Sequence, residues 1–451
     1  MQKTIRMAEN PGISGWQAIL PNRRPQPELV DSIDADYLVI GAGFAGLSAA
    51  RRLNQINSEA KIIILEACEV AEGPAGRNSG FMIDLPHDLA SQDYAGSADL
   101  DSQQTAINRG AIDFAKSAFS EYRMPDEAMR CIGKTNAAAT PKGMLFNKRY
   151  AAHLEKMDEE CRMLDAKDMQ ELTGINYYLG GLWTPGTALL QPAIYISSFA
   201  DGLIGNKNIH LYENSAVNQL TKELSTESGT LWHAKTNKGS VKAPKVIIAV
   251  NGMIERFGYF QQRLMHVFTY GSMTKALTPN EISELGGANE WSFTSADPMG
   301  SSVRRLSGTG GDRIMIRNRF TYEPSMEVTK TRMQAISKDH RQAFDVRFPM
   351  LKNVEMEYCW GGRLCLSRNN VFAAGEVEEG VFSACCQNGL GTAKGTAIGV
   401  IAAEQASNAA RSLIKDYKTE EPPKKLLLKP LMYLGANGYM RWKEMRAGKD
   451  K

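Results

Sequence analysis

The sequence is poor in the features that mark several functional classes. Its 53 Lys and Arg are nearly balanced by 50 Asp and Glu, a formal charge of +3 over 451 residues. Proteins that live by phosphate contacts concentrate a basic excess, so nucleic acid is not an expected partner. No run of about 18 apolar residues occurs, and no transmembrane helix is expected. Residues 1–27 lack the apolar core of a secretory signal, which makes the cytoplasm the expected compartment. The seven cysteines are scattered and odd in number, without a CxxC pair, and the six histidines form no HxxxH or HExxH pattern. A metal site is therefore not expected, and the thiols read as reduced and mostly buried.

What the chain does have is apolar mass and local order. With 43% hydrophobic residues, it is long enough for two intertwined domains with substantial cores. Residues 1–33 read as an irregular arm, with Trp16, Ile19 and Leu20 anchoring it on the surface of the body. At Asp36 the pattern changes. Residues 37–40 (YLVI) and 61–66 (KIIILE) are continuously apolar, as parallel strands buried on both faces must be. Between them lie a glycine turn and a segment of good helix formers, completing one βαβ unit. Helical stretches are expected at 103–121, 165–172, 325–344 and 396–405. Strands are expected at 245–250, 265–277 and 313–317, with a final buried strand at 370–375.

The first turn has a mechanism at each glycine. Gly41 permits the tight turn, Gly43 lets a pyrophosphate approach the backbone, and Gly46 lets the helix pack close to the strand. A diphosphate would then sit on the free amides of the helix that opens at Phe44 and Ala45. Glu66, 20 residues beyond the last of these glycines, is placed to accept the hydroxyls of an adenosine ribose and to repel a 2′-phosphate. This combination of strand, glycine turn, helix and acidic strand end is what gives the short motif its weight.

A second glycine-rich, cation-bearing turn follows at residues 73–80, GPAGRNSG. It resembles the second fingerprint, near GASGRNxG, of the D-amino acid oxidase-like family of FAD enzymes. The look is nearest to the glycine oxidase, sarcosine oxidase and γ-glutamylputrescine oxidase types. By that resemblance Arg77, Asn78 and Ser79 belong beside the FAD pyrophosphate and isoalloxazine, Val217 against the adenine, and Asn251 at the strand end leading back to the substrate domain. Residues 373–376 and 388–395 resemble the segment that closes over the flavin, which brings in Gly375, Gly389, Leu390, Gly391, Thr392 and Lys394. Where relatives carry Gly-His, this chain has Gln387-Asn388, so that histidine's role does not carry over. The resemblance spans about residues 34–412.

It implies an α/β fold: a Rossmann-like FAD-binding domain of the glutathione reductase type (second family), with an interleaved α+β substrate domain on a mostly antiparallel sheet. The FAD-binding domain would take residues 34–85, 185–254 and 356–412, and the substrate domain 86–184 and 255–355. Residues 413–451 form a basic, partly amphipathic tail expected to fold back on the body. FAD is expected to be held non-covalently, although Cys359 falls where sarcosine oxidase-type relatives bond a cysteine to the flavin.

The implied chemistry is hydride removal from an amine or amino acid, with oxygen or an electron-transfer acceptor reoxidising the flavin. Amides of the helix opening at 389–392, with Lys394, would stabilise the reduced ring. A surface lysine is the equal alternative for Lys394. A planar guanidinium fits a substrate carboxylate bidentately, and Arg304, Arg305, Arg317 and Arg319 are the candidates. Arg317 and Arg319 share one face of a period-2 strand. Tyr270 and His266 would border the same cavity, His266 as a structural residue, while Lys275 reads as a solvated strand end. Two alternatives stay open. A 2-hydroxy acid substrate would require a base, for which His87 is the candidate, and a non-catalytic flavin protein would use the arm and tail to dock a partner. A homo-oligomer is compatible with the sequence.

Overall fold

The computed structural model describes residues 5, 7–87, 91, 94–225, 229–410, 421–426 and 429–451. Parts of the expected arm (1–4 and 6), the first substrate segment (88–90, 92–93), the second FAD-binding segment (226–228), the end of the third (411–412) and the tail (413–420, 427–428) lie outside the described residues.

A six-stranded sheet runs in the order Ile209–Tyr212, Ile62–Leu65, Tyr37–Ile40, Lys245–Ile248, Val381–Cys385, Ala373–Glu378. The first five strands are parallel. Alternation divides their side chains between two layers. Val39, Ile62, Ile64 and Ile247 face a layer containing the helices Phe44–Ile56, Pro192–Leu203 and Ala393–Ala406. Leu38, Ile40, Ile63, Leu65, Val246 and Ile248 face a four-stranded sheet through Trp232, Ala234, Val241 and Ala243. Both faces being covered explains the unbroken apolar runs. The final parallel strand is not residues 370–375 but Val381–Cys385, every residue of which is buried. Ala373–Glu378 pairs with it antiparallel, as a half-exposed edge. The small residues of the last helix in this layer have a packing reason: a Cβ on Gly399 would lie 2.1 Å from the Ala45 carbonyl oxygen.

The larger sheet has eight strands in the order Met356–Ser367, Leu264–Thr274, Arg313–Tyr322, Ser302–Leu306, Trp291–Ser295, Lys134–Ala138, Gly180–Thr184, Arg162–Leu164. All pairs are antiparallel except Trp291–Ser295 with Lys134–Ala138. Met356–Ser367, grouped by sequence with the dinucleotide unit, pairs here instead. Helix Lys330–Arg347 packs on this sheet through Ile336, against Phe268 and Tyr270.

The arm is inserted at particular residues and does not merely rest on the surface. Trp16 is fully buried, its indole donates to the Asn78 carbonyl at 2.8 Å, and its ring meets Trp360 edge-on at 6.5 Å. A tryptophan with a satisfied N–H gains more inside than on a rim. Arg23 reaches the buried Glu213 with two hydrogen bonds of 2.8 and 2.9 Å, and Ser32–Asp34 adds a strand to the four-stranded sheet.

Candidate active site

A cavity is lined by residues of both large sheets, among them Ile40, Leu65, Thr269 and Arg317. It begins where the chain turns from strand to helix at Gly41, whose φ of +104° suits only glycine without strain. Gly46 is required for closeness: a Cβ there would stand 1.7 Å from the Gly41 carbonyl oxygen. The helix that follows leaves the first amides, those of Phe44, Ala45 and Gly46, without intrahelical acceptors. A Cβ on Gly43 would meet only the Ala75 methyl, at 3.5 Å. Gly41, Gly43, Phe44, Ala45, Glu66 and Val217 all line this end.

Glu66 accepts the Ala42 amide at 2.7 Å and the Cys68 amide at 3.2 Å through its two oxygens. Burial pushes its pKa up, while the hydrogen bonds from Ala42, Cys68 and Ala67 pull it down. Each carboxylate oxygen retains further acceptor capacity toward the cavity.

The second glycine-rich loop is built differently from the expectation. The Arg77 guanidinium donates to the carbonyls of Glu72 (2.6 Å), Gly12 (2.9 Å), Pro11 (3.1 Å) and Gly361 (3.3 Å). It lines the cavity, but its donors tie the arm, the loop and the Met356–Ser367 strand together. Burial and the neighbouring Arg363 lower its pKa to about 10. Asn78 likewise spends its side chain on the turn, donating to Ala75 O at 2.6 Å and accepting Gly80 N at 2.8 Å. Ser79 lines the wall beside it.

At the far end the wall is formed by Asn251, Thr269, Arg317, Gln387, Gly389, Gly391 and Thr392. The amides of Gly391, Thr392 and Ala393 have no described acceptor, and a Cβ on Gly391 would meet nothing within 4 Å. Asn251, Cys386 and Asn388 adopt left-handed φ between 50° and 59°. Asn388 turns away from the cavity, accepting Ser367 N at 2.8 Å and donating to Val371 O at 2.9 Å. The Thr269 hydroxyl is buried without a hydrogen-bond partner. Arg317 makes no hydrogen bond or ion pair with any described residue, and its guanidinium lies 4.4 Å from the centre of the Phe320 ring. Burial lowers its pKa to about 10, so it stays charged at neutral pH.

Several expected residues lie elsewhere. Arg304 is buried, donating through Nε and Nη1 to Leu190 O (2.7 Å), Ser292 Oγ (2.9 Å) and Ser79 O (3.0 Å); it braces the cavity wall from behind. Its neighbour Arg305 bonds the Gly286 and Ala288 carbonyls. Tyr270 points the other way from Thr269, into the layer with Phe268 and Ile336, its hydroxyl 2.6 Å from Thr321 Oγ1. Arg319 does not share the Arg317 face. A bulge at Arg319, with φ of +66°, resets the alternation, and its side chain pairs with Asp339 and Glu444. Gly375 sits on the edge strand paired with Ser383, where an added Cβ would meet nothing within 4 Å, and Leu390 packs with Phe81, Ile83 and Leu189. Lys394 is buried, 5.8 Å from the Phe372 ring centre. Cys359 packs against the Phe268–Tyr270 side. Lys275 follows its strand end, its amide on Glu355 O. His87 stacks on Tyr94 at 4.1 Å and feels the charges of Lys134, Arg317 and Lys394, while burial drives its pKa well down.

Sequence reasoning missed Met7 and Asn10 of the arm, Arg363, Cys365, and the weight of His266, which lines the cavity with its Nε2 2.6 Å from Glu255. Arg363 and Cys365 alternate on the strand after Trp360-Gly361-Gly362, which is the pattern by which they were within reach.

A family model described as "FAD dependent oxidoreductase" matches residues 36–405. The chain belongs to the FAD-dependent oxidoreductases. Among curated relatives, a probable oxidoreductase OrdL of Haemophilus influenzae is 24% identical, with 84% of each chain covered. A gamma-glutamylputrescine oxidoreductase of Escherichia coli is 23% identical, covering 82% of this chain and 83% of its own. The fold of this oxidoreductase also superimposes on glycine oxidase from Geobacillus kaustophilus, with a TM-score of 0.66 at 17% identity over 84% of this chain and 96% of that one. The cavity of this FAD-dependent protein suits its cofactor. Two helix starts offer free amides, Gly43 and Gly391 leave cradles that a Cβ would fill, and Thr269 lacks a partner. Among the described residues no cluster suited to a metal exists, and no helix is long and apolar enough to cross a membrane.

Proposed function

We propose that this oxidoreductase removes a hydride from the carbon next to nitrogen in an amine or amino acid bearing a carboxylate, giving an imine that hydrolyses. Arg317 is the observation that carries the reading: a cation on the cavity wall with no hydrogen bond or ion pair to a described residue, Glu444 acting on it only through space. A bound carboxylate would accept its N–H donors and balance its charge, and a planar guanidinium fits that group through two donors. The relatives' names agree, since they include an oxidoreductase of gamma-glutamylputrescine and an oxidase of glycine.

FAD supplies the hydride acceptor when bound. In this reading Glu66 holds the ribose, and the Phe44–Gly46 amides hold the diphosphate. The Gly391–Ala393 amides, at the positive end of a helix, stabilise negative charge on the reduced ring. Thr269 donates to a ring or substrate heteroatom. Arg317 fixes the carboxylate and so orients the C–H bond, while the apolar walls exclude water. We place Arg77 and Arg304 as positioning residues. The cofactor is held non-covalently: Cys359 packs away from the cavity, and burial keeps the Cys365 thiol, which lines it, well above its usual pKa. Denaturation is expected to release FAD into solution.

The test is anaerobic reduction of the holoprotein with amines, amino acids and hydroxy acids, followed by peroxide assay in air to separate oxygen from another acceptor. Arg317→Gln is expected to lower kcat/KM by about 10²- to 10³-fold for carboxylate-bearing substrates, sparing amines that lack the group. Equal loss for both classes would overturn the assignment. A second reading, oxidation of a 2-hydroxy acid, draws on His87, which burial keeps neutral and whose Nδ1 has no partner. It is favoured if hydroxy acids alone bleach the flavin and His87→Gln abolishes that bleaching.

A further inference from the structure

The last helix, Lys429–Arg446, presents two different faces. One is docked. Asn437 bonds both the amide and the carbonyl of Tyr322, at 2.9 and 3.0 Å, and Glu444 accepts the Phe320 amide at 2.8 Å. Met432, Ala436 and Met440 pack beside Val267, Phe320 and Tyr322. The opposite face carries Leu434, Tyr439, Trp442 and Met445, with exposures of 75%, 55%, 46% and 61%. At 100° per residue these four span an arc of about 140°. An added Cβ on Gly435 or Gly438, within that arc, would meet nothing within 4 Å.

The rim of this stripe is basic. Arg441 and Lys443 lie at its two edges and Arg446 falls within the arc beside Trp442; the cations of Lys443 and Arg446 stand 5.1 and 4.8 Å from the Tyr439 and Trp442 ring centres. Residues 421–451 hold eight Lys and Arg against three acids, whereas the whole chain carries only +3. Two of those three acids, Glu444 and Asp450, are buried. Arg441 pairs with Glu444 and Asp339 at 3.3 and 3.9 Å, and Lys451 with Asp339 at 3.9 Å, so the positive charge beside the stripe rests chiefly on Lys443, Arg446 and the exposed Lys449.

We infer that this helix lies on an anionic bilayer surface, its Leu-Tyr-Trp-Met stripe in the headgroup boundary and its basic rim against acidic lipid. A helix of this kind rests in the interface and does not span it, in keeping with the absence of any spanning helix among the described residues. Charge decides between occupants. A two-fold contact between copies would set one basic rim against another, while acidic lipids attract each nearby Lys or Arg. Tyr and Trp, apolar with a polar tip, suit the boundary.

The test is co-sedimentation of the flavin-loaded full chain with vesicles of phosphatidylcholine alone and of phosphatidylcholine mixed with phosphatidylglycerol. Binding is expected only to the mixed vesicles at low ionic strength, weakened at least about ten-fold by molar salt. Leu434→Gln/Trp442→Gln and Arg446→Glu/Lys449→Glu are each expected to weaken it about ten-fold or more, with flavin absorbance and melting temperature unchanged. Failure to sediment with mixed vesicles overturns the inference. So does binding that ignores Leu434→Gln/Trp442→Gln, or a dimer in sedimentation velocity that this double variant dissociates, which would assign the face to a second copy.

Discussion

Two glycines three residues apart should respond in opposite ways to the same added methyl group. At Gly46 a Cβ would lie 1.7 Å from the Gly41 carbonyl oxygen, against a floor of about 3.0 Å for real Cβ contacts. Strand and helix would have to part by more than about 1 Å, and backbone, unlike a side-chain tip, has no rotamer by which to yield. Overpacking that side chains absorb costs about 1–3 kcal/mol; displacing backbone in a sheet–helix contact costs more. Replacing Gly by Ala in a helix returns at most about 1 kcal/mol. Gly46→Ala is therefore expected to lose most of its folded yield. At Gly43 the nearest atom to a new Cβ is the Ala75 methyl at 3.5 Å, an ordinary contact, so Gly43→Ala should fold with an unchanged apoprotein melting temperature. Its methyl takes the space of the diphosphate. Loss of two charge-assisted hydrogen bonds at about 1.5–3 kcal/mol each corresponds to a Kd for FAD raised about 10²- to 10⁴-fold. Flavin absorbance titrated into apoprotein, with thermal melts in parallel, reads both effects. Wild-type FAD affinity in Gly43→Ala would refute the cradle, and a normal melt of Gly46→Ala would refute the close packing.

Other outcomes follow from the same contacts. Arg304→Met, which strands the Ser79 and Leu190 carbonyls, should cost about 3 kcal/mol in urea unfolding, whereas Arg317→Gln should cost under about 1; the reverse order would exchange their roles. Trp16→Phe keeps the ring but leaves the Asn78 carbonyl unbonded, so it should cost about 1–3 kcal/mol and weaken FAD binding, with equal affinity to wild type counting against the arm's part in the site. His340, buried with its Nδ1 2.8 Å from Ser272 Oγ, has its pKa lowered from 6.5 to about 4 by burial. The unfolded chain therefore binds its proton first, and stability falls as pH drops from about 6.5 to about 4, by about 3 kcal/mol from this group. In His340→Asn that stretch of the stability curve should flatten by the same amount; an unchanged slope would exclude His340 as its source.

The dinucleotide half was legible because each signal there is local. Strand, turn, helix and Glu66 follow one another within about 30 residues, and the glycines are demanded by φ and by close approach. Between Ala373 and Cys385 the reading slipped by one strand, since two short apolar runs separated by a turn look alike until pairing shows which is central. Arg319 and Arg304 were misread for different reasons. A single bulge at Arg319 reverses the faces that alternation assigns. Arg304 looks like a substrate anchor until its three acceptors, 12, 114 and 225 residues away in the chain, are seen. Met7 and Asn10 left no signal, because what makes them cavity residues is the path of an irregular segment. Trp16 was noticed as an anchor, but sequence does not say whether an anchor holds to a rim or to the interior.

The bonds of Arg77 carry a warning for anyone preparing smaller versions of the molecule. Two of the four carbonyls that satisfy it belong to Pro11 and Gly12, upstream of the stretch by which the protein is recognised, residues 36–405. A chain trimmed to that stretch would keep every fingerprint residue and yet leave a buried cation half-dressed at the flavin loop. Pale, fragile preparations of such a fragment would then report a missing strap, with the binding motif itself intact.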